Sequence, residues 1–186
     1  MAAHPPNLTW DEFLALPYEL RNVALIDGEV VMNPPTAQHE LIVQNLILAF
    51  RQWTARAPGR GEVSTQQPVK INDHRGDQPD VSWYRPEACA PPGAPAGFVG
   101  PPSLVVEVLS PSTRAFDQLR KRADYQAAGI AELWFIDPDP NAPCVQVCRR
   151  PATGARFDEH ELGPDDELAS PLLPEFGVAV RALYRR

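Results

Sequence analysis

Near the middle of the chain runs Pro102-Ser103-Leu104-Val105-Val106-Glu107-Val108-Leu109-Ser110-Pro111-Ser112-Thr113. Residues 104–109 are apolar except for Glu107, which is the composition of a strand covered on both faces. The hydroxyls of Ser110, Ser112 and Thr113 supply caps for a helix over about 114–128. Its Phe116, Leu119, Ala123 and Ala127 are expected to face the core, and Gly129 to close it in the left-handed conformation. A strand over 132–136 then completes a βαβ unit, whose connection should be right-handed. The fold class is therefore α/β, a mixed sheet with helices packed against it.

Upstream, Thr9 and Glu12 have capping-box spacing at the head of a short helix carrying Trp10, Phe13 and Leu14, which stops at Pro17. A hairpin follows, with runs at 23–26 and 30–32 around the tight-turn pair Asp27-Gly28. Thr36 can cap a long, largely buried helix reaching to about residue 57, and Pro58-Gly59 ends it. Residues 62–71 read as a strand, 72–78 as a polar turn and 80–84 as a second strand. Residues 85–102 are rich in Pro, Gly and Ala and read as a surface loop or short broken helix. Downstream, strands at 132–136 and 144–148 flank a turn at 137–143, and weaker β signals continue to Tyr184. There is no internal repeat, and a single domain over 1–186 accommodates every element.

The 186 residues are 44% hydrophobic and 22% charged, which suits a globular protein and excludes a disordered or collagen-like chain. A net charge of −7 argues against gripping nucleic acid by broad phosphate neutralisation. It does not exclude a nuclease, because a site for divalent cations concentrates carboxylates. No apolar run reaches the roughly 20 residues of a membrane helix, and no signal peptide is evident, so a cytoplasmic location and no membrane partner are expected. The three cysteines, Cys89, Cys144 and Cys148, lack zinc-ligand spacing and read as free thiols.

Glu107 is the most informative residue, since burying its charge on the face shared with Val105 and Leu109 costs several kcal/mol unless something pairs with it. A buried arginine, an edge position open to water, or a bound metal would each explain it. Asp80, after Pro79, is either turn chemistry or a second carboxylate at a neighbouring strand end; such a pair can hold one Mg²⁺ with waters completing its shell. Asp117, Lys121 and Tyr125 form one helical stripe. Lys121 is then either half of an exposed ion pair with Asp117 or a point charge for the attacking water or scissile phosphate. Glu40, beside His39, suits the first turn of a helix and is also a candidate further ligand. Arg114, Arg120 and Arg122 make the region locally basic, as phosphate contacts or as a solvated helix face.

Taken together, Pro79-Asp80, the 102–113 stretch, and Asp117, Lys121, Tyr125 and Gly129 resemble the Uma2 family (DUF820) of bacterial endonucleases. The similarity extends to Thr9-Trp10-Asp11-Glu12-Phe13-Leu14, Leu25-Ile26-Asp27-Gly28-Glu29, Glu132-Leu133-Trp134, Asp137-Pro138 and Ser170-Pro171-Leu172-Leu173-Pro174. The resemblance implies a restriction endonuclease-like core of the PD-(D/E)xK type using Mg²⁺ or Mn²⁺. It makes Asp80 and Glu107 metal ligands and matches Glu40 to an acidic residue on the family's early helix. The lysine that normally lies two residues after the second acid is replaced by Leu109, and the resemblance suggests that Lys121 supplies the amine instead. Asp117, Tyr125 and Ser110 are the expected supports of these groups. The expected activity is metal-dependent hydrolysis of DNA phosphodiester bonds, by a homodimer if both strands of a duplex are cut. Two other readings stay open: a catalytically silent binding or regulatory module, and a phosphodiesterase for RNA or branched DNA.

Overall fold

In the computed structural model, which describes residues 7–16, 23–32, 34–90, 97–110, 114–153 and 156–186, with side chains left undescribed at 114–117, the chain opens with α1 (Trp10–Leu14) and the hairpin β1 (Val23–Ile26) and β2 (Glu29–Met32). There follow α2 (Ala37–Thr54), β3 (Glu62–Ser64), β4 (Val69–Asn72), β5 (Arg75–Asp77), β6 (Val81–Tyr84), β7 (Leu104–Val108) and α3 (Arg114–Ala127). The chain continues through β8 (Glu132–Asp137), β9 (Cys144–Arg149), β10 (Asp158–Leu162), β11 (Glu167–Ala169) and β12 (Gly177–Ala179). Short 3₁₀ segments occur at Pro86–Ala88 and Val180–Tyr184. Among the described residues no helix is long and apolar enough to cross a membrane.

The main sheet has six strands in the order β10-β9-β8-β7-β6-β3. β7 and β8 are parallel, as the βαβ reading requires, and the other pairs are antiparallel. Every residue of β7 is buried because the strand lies between two cores. Leu104, Val106 and Val108 pack with Ile42, Leu46, Phe50 and Trp53 of α2 and with Leu168 and Phe176 from the tail. Val105 and Leu109 pack on the opposite face with Tyr125, Ile130 and Phe135. Each such aliphatic side chain contributes about 1.5–3 kcal/mol by leaving water, and the alternation puts Glu107 on the α3 side.

A second sheet, β2-β1-β5-β4, carries the hairpin. Its turn places both Asp27 (φ 50°) and Gly28 (φ 81°) in the left-handed region, as a tight two-residue turn requires. The capping box of Thr9 and Glu12 forms as expected.

Five expectations need correction. Residues 62–71 are two strands in different sheets, because Gln66 takes φ 52° and Pro68 has no N–H for a ladder, so the chain leaves β3 and restarts as β4. The polar turn shortens to 73–74, and Arg75–Asp77 becomes β5. The close approach of α1 permits this only at a glycine, since a Cβ on Gly76 would lie 1.9 Å from a Trp10 ring carbon. α2 ends at Thr54, before residue 57, and the β signal near the C-terminus resolves into β12 and a 3₁₀ turn.

The fifth correction concerns α3. Leu119 is 65% exposed and Ala123 and Ala127 are exposed as well, while Asp124 and Tyr125 are buried and the Arg120 side chain is nearly so. The helix therefore turns a polar face to the protein, because charged partners from β5 and β7 await it there. Gly129 does close it, at φ 82°. The Ser112 and Thr113 caps, Pro17, and the side chains of Phe116 and Asp117 lie outside the described residues. No disulfide joins Cys89, Cys144 and Cys148.

Candidate active site

The antiparallel register of β6 on β7 pairs Val81 with Val106 and Ser82 with Val105. Asp80 stands at the bend one residue before β6, and the Val81–Val106 pairing brings it beside the Glu107 end of β7. The two carboxylates, distant in sequence, thus meet at one end of adjacent strands. Asp80 Oδ2 accepts the Val108 backbone N–H at 2.8 Å, which ties it to β7. Asp80 and Glu107 line a cavity of about 130 Å³ together with Lys121 and His39, while Ile26 and Val31 of the hairpin form its apolar wall.

Glu107 is 2% exposed and its charge is met from α3. Lys121 Nζ donates to Oε2 at 2.6 Å and the Tyr125 hydroxyl donates to Oε1 at 2.5 Å. The i, i+4 spacing of Lys121 and Tyr125 is what delivers both donors to one carboxylate. Burial, with the nearby Asp80 and Asp77 charges, pushes the Glu107 carboxyl up to about 7 against the opposing pull of Lys121. Burial disfavours the charge on Lys121 too, but Glu107, Asp77 and Asp80 outweigh it and raise its pKa. Lys121 is accordingly a fixed ammonium. Tyr125 is raised as well, by burial and then by the Glu107 charge, so it remains a donor.

Beneath these groups lies a buried ion-pair network. Arg120 Nη2 and Nη1 donate to the two Asp77 oxygens at 2.9 and 3.0 Å, and Nη1 also reaches Asp124 at 2.9 Å. Arg75 extends the chain to Asp124 at 3.2 Å and to Asp27 at 2.5 Å, so the network joins α3 to the hairpin sheet. Arg120 and Arg122 are therefore not a solvated basic face: the first is committed to Asp77 and Asp124, the second to Gln146 at 3.1 Å and Glu159 at 3.2 Å. The Arg114 side chain lies outside the described residues.

Of the residues singled out from sequence, Asp80, Glu107 and Lys121 share the cavity and Tyr125 lies under Glu107. The α2 residue lining the cavity is His39, one position before Glu40; Glu40 is half-buried and acts on the His39 ring through space. Asp117 lies outside the described side chains, and Ser110 is half-buried just beyond β7. Asp77 went unnoticed in the sequence, His39 was read only as the neighbour of Glu40, and Arg120 was read as part of a locally basic face. Asp77 stands three residues before Asp80, a spacing obscured by reading that segment as a turn. Leu109, at the usual position of the lysine, is 8% exposed in the apolar core, and the amine arrives from α3.

Among the described residues no three or more His, Cys, Asp or Glu side chains converge as a metal cage. Two hard carboxylates on one cavity instead fit an ion that keeps much of its own water, as Mg²⁺ does and Mn²⁺ can. Glu107 accepts one bond on each oxygen, and each carboxylate oxygen has a second lone-pair direction. The donor set present therefore fits such a cation, which Asp80 and Glu107 would hold.

The chain superposes on the crystal structure of "a putative nuclease belonging to DUF820" from Anabaena variabilis with a TM-score of 0.77, at 22% identity over 95% of this chain and 97% of that one. The chain belongs to the Uma2 family, described as "Putative restriction endonuclease", whose profile matches residues 10–181. No curated protein matches it.

Proposed function

We propose that the protein is a Mg²⁺- or Mn²⁺-dependent endonuclease that hydrolyses phosphodiester bonds in DNA. The observation supporting this most strongly is the meeting of Asp80, Glu107 and Lys121 on one cavity in a chain of this family. Asp80 and Glu107 are the metal ligands, with Glu40 assisting from α2. A divalent cation there neutralises charge developing on the phosphate and makes nearby water more acidic.

Lys121, held protonated by its carboxylate neighbours, acts as a donor and point charge toward the attacking water or the scissile phosphate, not as a base. Tyr125 fixes the Glu107 carboxylate from the side opposite Lys121. Among the described residues Arg120 and Arg122 are occupied by acids and do not grip phosphate, so the metal carries the substrate charge that they would otherwise meet. A two-fold dimer places two such sites for the two strands of a duplex.

The test is a Mn²⁺ titration followed by thermal unfolding, alongside cleavage of plasmid DNA. At 100-fold excess over the dissociation constant, the wild-type protein should gain about 2.7 kcal/mol. That gain should vanish in Asp80→Ala and Glu107→Ala. Stabilisation that persists in both variants removes these acids as ligands. Stabilisation without cleavage of any nucleic acid would point to a silent binding module, and cleavage confined to RNA or branched DNA would redirect the substrate.

Lys121→Ala should separate binding from chemistry. Cleavage should fall about 100-fold or more, the scale for removing one preorganised charge donor, while the Mn²⁺ midpoint moves far less. Equal losses in both would refute the role given to the ammonium.

A further inference from the structure

One cavity residue has no part in the proposed chemistry. His39 sits in the first turn of α2, where its backbone N–H donates to the capping Thr36 Oγ1 at 3.2 Å. That cap fixes the turn and with it the root of the side chain. The imidazole Nε2 lies 3.1 Å from Asp80 Oδ2, and the two side chains are 13% and 10% exposed. The same oxygen accepts the Val108 N–H from β7. Two donors from two different elements, one on a helix and one on the central strand, thus converge on a single carboxylate oxygen. Such a clamp removes the freedom of the Asp80 side chain to rotate about its terminal bonds, and so sets the direction in which its remaining lone pairs point. The other ring nitrogen, Nδ1, is buried and meets no hydrogen-bond partner among the described residues, so the ring is not the hub of a wider structural network.

We infer that His39 is a positioning residue for Asp80, clamping its carboxylate so that it faces the divalent cation. This rests on the metal-dependent reading above and adds to it a specific residue on α2, the neighbour of the Glu40 that the sequence suggested. His39 acts through Asp80 and need not touch the ion or the substrate. Losing such an orienting partner typically weakens metal binding by about 10–100-fold.

The experiment measures the Mn²⁺ dissociation constant by electron paramagnetic resonance of free Mn²⁺, with Mn²⁺-induced thermal stabilisation as a second readout. Wild type, His39→Ala and His39→Gln are compared. Binding by His39→Ala should weaken about tenfold or more. The glutamine amide can place an N–H where Nε2 stood, so His39→Gln should recover most of that loss. A merely structural histidine would lower the metal-free melting temperature and leave the Mn²⁺ constant unmoved, a result that overturns the inference. His39→Gln binding as weakly as His39→Ala also overturns it, because the ring itself would then be the ligand. Absence of Mn²⁺ binding by the wild-type protein would bring down the metal reading and this inference together. Wild-type binding that His39→Ala preserves would bring down this inference alone.

Discussion

Arg120→Ala should destabilise the folded protein by about 3–5 kcal/mol, the cost of removing one partner from a buried ion pair. The Arg120 side chain is 8% exposed, and the Asp77 and Asp124 side chains that it joins are 1% and 6% exposed. Its planar fork meets both Asp77 oxygens, a geometry that lysine cannot reproduce. Alanine would leave Asp77 charged, dry and without its counter-ion, whereas Asp124 would keep Arg75. A loss of this size is about a fifth or more of the roughly 5–15 kcal/mol that holds a typical domain together. Urea unfolding measures it, and a loss below about 1 kcal/mol would mean that the pair is far wetter than the structure shows. The cause can be isolated. If the uncompensated Asp77 charge is responsible, Arg120→Met combined with Asp77→Asn should be more stable than Arg120→Met alone.

This network also explains where sequence reasoning stopped. The hairpin and β7 are written in local patterns, a two-residue turn between β-prone runs and an unbroken apolar stretch, and both form as read. Glu107 was legible for a related reason: one charge in a buried strand demands a partner, and the stripe of Lys121 and Tyr125 supplied two. The face of α3 was not legible. Its apolar residues pointed one way, yet the helix turned by the demand of Arg120 for Asp77, a residue 43 positions away that sat in a segment resembling a turn. Long-range charge pairing leaves no periodic trace in a sequence. Glu40 and His39 differ by a single position, which on a helix is a rotation of about 100°. Only the placement of α2 over the sheet decides that the imidazole enters the cavity. The break between β3 and β4 was likewise hidden, because β-prone residues lie on both sides of Gln66 and Pro68.

On the proposed function, Glu107→Gln should abolish Mn²⁺-induced stabilisation and cut DNA cleavage on the order of 10³-fold, since both the ion and the geometry around it would depend on this carboxylate. The protein should still fold. The amide keeps the volume of the side chain, and its oxygen can still accept from Tyr125, so the loss is confined to the charge and to the bond from Lys121. Lys121 would lose the nearest of the carboxylates that raise its pKa, and that pKa should fall. A pH signature should disappear with the carboxylate. In the wild-type protein burial raises Glu107 from the usual 4.5 to about 7, so between those values the folded state holds a proton that the unfolded state has released. The contribution of this group to stability is thus fully present below 4.5 and is lost as pH rises through 7. Mn²⁺ competes with that same proton, so metal-induced stabilisation should grow over the same interval. The glutamine variant should show neither trend. If it instead cleaves DNA within about tenfold of the wild-type rate, a change worth only about 1.4 kcal/mol in the barrier, Glu107 is a structural anion for Lys121 and the ion must be held elsewhere.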